Sequence, residues 1–273
     1  MKVAICNLQS EGFEETLLKS LINTGFAVVT QHGIDFELIK ESQYFWSKFF
    51  KKPQVFKNLF INGNDSNMGY KAVGSETAVG AKTADLKEFF HYKPGYEIPI
   101  SLEDINYELF TQLSDVGMKI LEVLDKANGT TYRNDCYGSS NTLLRTLYYP
   151  ALDKVDRQEG SVRAAAHEDI NHITLLVAAS APGLQVQDNQ GKWYDVPHEE
   201  NSIVVNIGDM LKLASNGLYK STTHRVVNPP DNTSDRISMP LFIHPHAHVT
   251  LAPGYTAGQF LADRLNAIYG AKK

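Results

Sequence analysis

His167 and Asp169 stand two residues apart, and His224 follows on a later apolar stretch. On an extended chain a spacing of two turns both side chains to one face. If the segment bearing His224 lies alongside, two imidazoles and one carboxylate converge. Such a set occupies one triangular face of an octahedron and leaves three positions open. That suits iron(II) holding an oxo-acid through two positions and dioxygen through the third. A lone His-x-Asp is common, and a strand histidine is ordinarily a surface or hydrogen-bonded core residue, so the triad needs support from elsewhere. Arg236 and Ser238 offer it, beginning a strand twelve residues after His224 and pointing the same way. A guanidinium fork with a neighbouring hydroxyl matches a carboxylate. Either residue alone more often faces water, but the strand continues as the apolar MPLFIH, where a buried arginine calls for an anion.

A rival metal set is His244, His246 and His248, which would share a face on a strand and could take zinc. Pro245 interrupts any ladder there, so this segment reads as chain leaving the sheet. If it held the metal, removal of His167 would leave metal content unchanged. His172 has the opposite strand parity to the triad and reads as a solvated residue or a pocket wall.

These residues must be positioned by two kinds of element. The first half reads mostly helical: Glu11 to Asn23 carries Phe13, Leu17, Leu18, Leu21 and Ile22 at helical spacing, with Gly25 at the C-terminal cap. FAVVT (26–30) is a short strand, and Asp35 caps a second helix ending before Pro53. Asn62 to Thr83 is polar and reads as a loop suited to gate a substrate. Ser101 opens the longest helix, with Asp104 completing a capping box and Gly129 closing it. After Asp135 the chain turns to nine short β-rich runs: TLLRTLYY, SVRAAAH, HITLLVA, LQVQ, KWYDV, SIVVNI, MLKLA, LYKSTTHRVV and RISMPLFIH. That pattern predicts a sandwich or barrel, with Asn216-Gly217 as a hairpin joining MLKLA to LYKSTTHRV. Thr256 caps a closing helix from about Gly258 to Tyr269.

Composition narrows the class. At 273 residues, 42% hydrophobic and 21% charged, the chain can bury a core unaided. The net charge of −5, with no basic run longer than a pair such as Lys51-Lys52, argues against a nucleic-acid partner. Two cysteines, Cys6 and Cys136, make no disulfide framework and suit a reducing compartment. No segment reaches membrane-span length and no signal peptide develops at the start, so a cytoplasmic protein with no membrane association is expected. No obligate protein partner is evident.

From about Leu143 to Pro245 the chain resembles the isopenicillin N synthase-like branch of the 2-oxoglutarate and iron(II)-dependent oxygenases. The likeness lies in LLRTLYYP, HEDINHITLL, APGLQVQDNQGKWYDVP, NSIVVNIGDMLKLASNGLYKSTTHRVV and DRISMPLFIHP. LINTGFAVVTQHGI, MGY (68–70) and DLKEFF (85–90) are similar to the helical N-terminal region of that branch. The resemblance implies a mainly β fold with helices (α+β). Residues 1–130 would form a helical region with a strand near 26–30, residues 131–250 a double-stranded β-helix (jelly-roll) core, and 251–273 a C-terminal helix packed on it. It implies iron(II), Fe(2+), on His167, Asp169 and His224 as the catalytic centre, with the distal carboxylate of 2-oxoglutarate on Arg236 and Ser238. Tyr149 would donate its hydroxyl to the co-substrate, or serve as a core tyrosine. Many relatives carry an asparagine two residues before that tyrosine; Leu147 stands there here, so that contact is absent.

Phe242 falls where relatives place an aromatic near the substrate, though a strand phenylalanine is more often plain core. Tyr70, Lys71 and Asn171 are further candidates for the pocket rim, and Lys71 hints at an anionic substrate if it points inward. The implied activity oxidises a small molecule with O2, releasing succinate and CO2, by hydroxylation, desaturation or ring closure. An oxidase that uses no 2-oxoglutarate, and a non-catalytic sensor that retains the site, stay open beside it.

Overall fold

The computed structural model describes residues 1–65, 67–75, 87–151, 163–227 and 235–269. Strand β1 (Ala4–Asn7) leads into helix α1 (Phe13–Thr24), which buries Phe13, Leu17 and Leu21. The helix ends at Gly25, where φ is 71° and a Cβ would stand 2.3 Å from the Lys220 carbonyl oxygen, so only glycine fits the turn. Strand β2 (Phe26–Thr30) follows, and Asp35 then caps α2 (Phe36–Phe50) by accepting from the Glu37 amide, as the sequence predicts. After the short α3 (Gln54–Lys57) come β3 (Gly69–Lys71) and β4 (Glu88–Tyr92). Helix α4 (Glu103–Asn128) is the long one. It starts from a 3₁₀ turn at Ile100–Leu102 with no side-chain cap, so the capping box expected at Ser101 and Asp104 does not form. Gly129, with φ 65°, closes it. Helix α5 (Tyr132–Cys136) completes this part.

The remaining strands are β5 (Leu143–Tyr149), β6 (Ala164–His167), β7 (Ile173–Val177), β8 (Leu184–Gln187), β9 (Trp193–Asp195) and β10 (Ile203–Ile207). Helix α6 (Asp209–Ala214) intervenes before β11 (His224–Val226), β12 (Arg236–Ser238) and β13 (Pro240–Ile243). The small ribbon β14 (Thr250–Ala252) and β15 (Tyr255–Thr256) then leads into α7 (Ala257–Tyr269). Thr256 and Gln259 form a reciprocal capping box at the start of α7, the Gln259 side chain accepting from the Thr256 amide.

One large sheet runs β1-β2-β10-β7-β13-β5-β4-β3, with β12 also paired to β5; a smaller sheet runs β6-β11-β8-β9. Residues of both meet in two apolar clusters. Phe89, Leu147 and Tyr149 pack with Ala164 and Val226, and Phe26, Val28 and Val204 pack with Val186 and Val196. The two facing sheets are the jelly-roll core. The outer face of the large sheet is covered by α1, α2 and α4 through a cluster that includes Leu17, Trp46, Leu113, Ile120, Leu175 and Leu241. Burial of that size is the dominant favourable term in folding. Gly117 lets α4 lie directly on β13, since a Cβ there would meet the end of Ile243.

Several expectations are corrected. The first 130 residues are less purely helical than read: β1, β3 and β4 join the large sheet, and EFFHY of β4 pairs along its whole length with β5. MLKLA is not a strand but belongs to α6, with Met210 and Leu211 buried on one side. Asn216 and Gly217 do take positive φ, 51° and 80°, but in the turn after that helix rather than in a hairpin. RISMPLFIH divides at Met239 into β12 and β13. His172 is fully buried, not solvated. Of the expected gate, residues 66 and 76–83 lie outside the described residues. Among the described residues no helix is long and apolar enough to cross a membrane.

Candidate metal and co-substrate site

Antiparallel pairing of β6 with β11 sets His167 opposite His224, and their rings lie 4.4 Å apart between centroids. Asp169 follows on the turn after β6. Its Oδ1 is 3.8 Å from Nε2 of each histidine, and the three donor atoms fall within 4.8 Å of one another. Among the described residues this is the one His/Asp/Glu/Cys group so arranged. His244 instead sets Nδ1 against the Phe242 carbonyl at 3.2 Å, and His246 Nε2 meets the Tyr137 carbonyl at 2.9 Å.

The donor atoms are oriented from behind. A carbonyl oxygen only accepts, so His167 Nδ1 donates to the Ala165 carbonyl at 2.8 Å and His224 Nδ1 to the Thr222 carbonyl at 3.1 Å. Each ring then presents an unprotonated Nε2 to the centre. Asp169 Oδ2 accepts from Thr174 Oγ1 at 2.6 Å and Asn206 Nδ2 at 2.7 Å, leaving Oδ1 for the centre. Desolvation opposes the Asp169 charge, but the two imidazoles and these two hydrogen bonds outweigh it, holding the carboxyl below its usual range. His167 is 40% exposed at its outer edge. Desolvation and then the facing His224 still pull its pKa down to about 4, against the attraction of Asp169. A neutral imidazole pair with one carboxylate is the donor set a divalent iron requires, so the residues present fit the group.

Arg236 and Ser238 are buried on β12, where Arg236 pairs with Tyr149 and Ser238 with Leu147. Arg236 Nε donates to the Ala181 carbonyl at 3.0 Å. Its Nη1 is buried and meets no acceptor among the described residues. A buried guanidinium with an unmet donor is a receptor for an anion. The guanidinium carbon stands 5.3 Å from the centroid of the Tyr149 ring. Val226, two residues beyond His224, packs in the same cluster as Tyr149.

The other candidates fall in different places. Phe242 pairs with Thr174, whose hydroxyl reaches Asp169, so its ring faces the interior of the roll. There Arg145 lies with its guanidinium 4.7 Å from the Phe89 ring and 5.5 Å from Phe242, its Nε donating to His91 Nε2 at 2.6 Å. Lys71 sits opposite Phe89, on the same inward face, and its ammonium donates to the Met68 carbonyl. Tyr70 is turned away: it pairs with Phe90 on the helix-covered face, and its hydroxyl donates to Glu88, which also pairs with Lys57. Asn171 is not at a rim either; fully buried, it donates to the Ile173 carbonyl and to Thr174, behind Asp169. Thr174 and Asn206 escaped the sequence reading. The signal available for Asn206 is its place as a polar residue inside the otherwise apolar IVVNI, which calls for a buried partner.

Comparison with known proteins agrees with this geometry. Residues 140–245 match the model of the 2OG-Fe(II) oxygenase superfamily, and residues 7–107 match that of the non-haem dioxygenase in morphine synthesis N-terminal region. Flavonol synthase 1 of Crocosmia x crocosmiiflora is 30% identical over 91% of this chain and 76% of its own. The chain belongs to the 2OG-Fe(II) oxygenase superfamily. The oxygenase is also similar to a solved putative oxygenase from Shewanella oneidensis, with 36% identity, a TM-score of 0.87 and coverage of 97% and 98% of the two chains. A full-length Neurospora crassa protein solved in complex with alpha-KG, which is 2-oxoglutarate, gives 26% identity and a TM-score of 0.82 over 96% and 95%. The protein is a dioxygenase that uses iron(II), 2-oxoglutarate and O2 on a small-molecule substrate.

Proposed function

We propose that the oxygenase hydroxylates its substrate at a centre in which His167, Asp169 and His224 hold iron(II), and Arg236 and Ser238 hold the distal carboxylate of 2-oxoglutarate. The observation that carries the reading is the pairing of a converged triad with a buried Arg236 whose Nη1 lacks an acceptor among the described residues. Bound iron with 2-oxoglutarate supplies oxidative decarboxylation and, from it, the oxidising power that removes hydrogen from an unactivated carbon. The chain's own work is orientation. Thr174 and Asn206 hold one oxygen of Asp169, so the carboxylate offers a single donor and open positions remain. Ala165 and Thr222 fix the imidazole tautomers. Arg236 sets the direction in which a dicarboxylate lies, and Tyr149 gives that guanidinium an aromatic wall. Phe242, Phe89 and Arg145 form the inward wall beside the triad, against which a flat organic substrate would lie. Among the similar proteins, one solved chain holds thymine and another is named for flavonol synthesis, both planar compounds.

The test is anaerobic reconstitution with iron(II) followed by titration with 2-oxoglutarate, watching the weak visible metal-to-ligand charge-transfer band. The expected result is a band in the wild type that vanishes in His167→Ala and shifts to much higher co-substrate concentration in Arg236→Ala. An iron-loaded wild type with no band would transfer the reading to an oxidase whose Arg236 and Ser238 serve another ligand.

A further inference from the structure

The inward face of the large sheet carries a second group of cations, apart from Arg236. Along one row of the register, Ser238 of β12 lies opposite Leu147, Leu147 opposite Phe89, and Phe89 opposite Lys71 on the edge strand β3. Residues opposite one another in an antiparallel sheet share a face. Three strand steps set the Lys71 backbone roughly 14 Å from that of Ser238, outside the grip assigned to the distal carboxylate of 2-oxoglutarate. Lys93, just past β4, is tied to the triad by another route: buried His244 feels the charges of both Lys93 and the iron ligand Asp169. His91, two residues before Lys93, accepts from Arg145, whose guanidinium lies against Phe89 and Phe242. The aromatic wall of the site thus ends among cations.

Lys71 and Lys93 are half-buried. Burial depresses the pKa of both ammoniums, and one carboxylate, that of Asp65, acts on each against it. Asp65 has other work, its two oxygens accepting from the Asn67 amide and the Tyr96 hydroxyl. Among the described residues neither lysine forms an ion pair, and the Lys71 ammonium makes its hydrogen bond to the Met68 carbonyl. Two partly desolvated ammoniums sharing one committed carboxylate leave an excess of positive charge that an incoming anion relieves. Ammonium groups on flexible stems suit a point of negative charge.

We propose that the substrate is an organic acid, bound with its reacting carbon at the triad and its carboxylate against Lys71 and Lys93. This rests on the reading of the centre given above and adds the class of compound: a planar molecule whose acid group lies away from the 2-oxoglutarate grip.

The experiment titrates iron-loaded, anaerobic protein, saturated with 2-oxoglutarate, with benzoate, cinnamate and 2-naphthoate, each beside its primary amide. Binding is read from the change in the visible band and, separately, by equilibrium dialysis, which needs no chromophore at the iron. The expected result is that at least one acid binds about ten- to hundredfold more tightly than its amide. That preference should vanish when Lys71→Gln and Lys93→Gln are combined, while affinity for the amide and for 2-oxoglutarate stays as in the wild type. If the double variant does not fold, the single variants decide by the same ratio of acid to amide. Wild-type indifference across all three pairs overturns the proposal, as does a preference that survives both substitutions. Equal loss of acid and amide overturns it too, by giving the lysines a structural role. A lysine-dependent preference seen by dialysis, in iron-loaded protein that forms no band, keeps the acid site and strikes the 2-oxoglutarate reading instead.

Discussion

Asp169 divides its two oxygens between different tasks, and the division sets a measurable consequence. Thr174 and Asn206 stand opposite each other in the register of β7 and β10, and both reach Oδ2. Removing one donor frees the carboxylate to swing. Replacement of Asn206 by Ala should therefore weaken iron(II) binding about 10- to 100-fold, the usual range for partners behind a ligand, while the protein stays folded. Equilibrium iron titration against a competing chelator reads this directly, and an unchanged affinity would remove Asn206 from the site. A second consequence concerns acid. Desolvation, and then the nearby His244, depress the pKa of fully buried His172 from 6.5 to about 3. The unfolded chain takes up a proton in that window and the folded chain refuses it. The stability this confers is whole above about pH 6.5 and drains away as pH falls toward 3, at about 1.4 kcal/mol per pH unit. His172→Phe keeps a ring against Tyr132, which His172 meets edge-on at 5.8 Å. It should flatten the acid side of the unfolding-midpoint curve between pH 6.5 and about 4.5, and an identical slope would contradict the assignment.

At the scale of elements, α6 is the piece that holds the metal turn. Its first amides donate outward, Asp209 to the Asp169 carbonyl at 2.7 Å and Met210 to that of Ile170 at 3.1 Å. The helix thus uses unsatisfied N-terminal donors to clamp the residues around a ligand. That approach depends on Gly208, where a Cβ would lie 2.1 Å from the Asn171 carbonyl oxygen, a backbone atom with little freedom to move. Gly208→Ala should cost roughly 1–3 kcal/mol of stability and weaken iron binding together, read by denaturant unfolding and metal titration. Loss of stability alone would show that the turn is held by other contacts. This element also marks where sequence legibility ended. MLKLA is too short for its periodicity to separate helix from strand, and the Asn-Gly signal that seemed to close a hairpin required positive φ in either context. EFFHY of β4 escaped for a related reason: buried on both faces, it has no polar alternation to report. The helices with a clean stripe and a cap, α1 and α2, were readable almost to the residue. His167, Asp169 and His224 could be proposed from spacing because two share one short segment. Tyr70 and Asn171 could not be placed, since which side of a strand faces the roll depends on pairings that the sequence does not display.

Across the whole molecule, the large sheet begins at the first strand and takes in β3 and β4, so the N-terminal part shares the sheet that carries Arg236 and Phe242. The site's groups come from both sheets, His167 and His224 from the small one and Arg236 from the large one, so its geometry depends on how the two faces pack. The far end of the chain enters as well. Helix α7 lays Phe260 and Leu261 against the cluster of Met210 and Leu251 that also contacts Ile170, the residue after Asp169, and Arg264 pairs with Asp209. Thermodynamic linkage runs both ways along such a brace. A cation captured at the centre should slow amide hydrogen exchange in residues 257–269, and cutting the chain before Ala257 should make the protein release its iron sooner. Protection that stays the same with and without metal would mean that the closing helix rides on the fold as a passenger rather than sensing whether the enzyme is loaded.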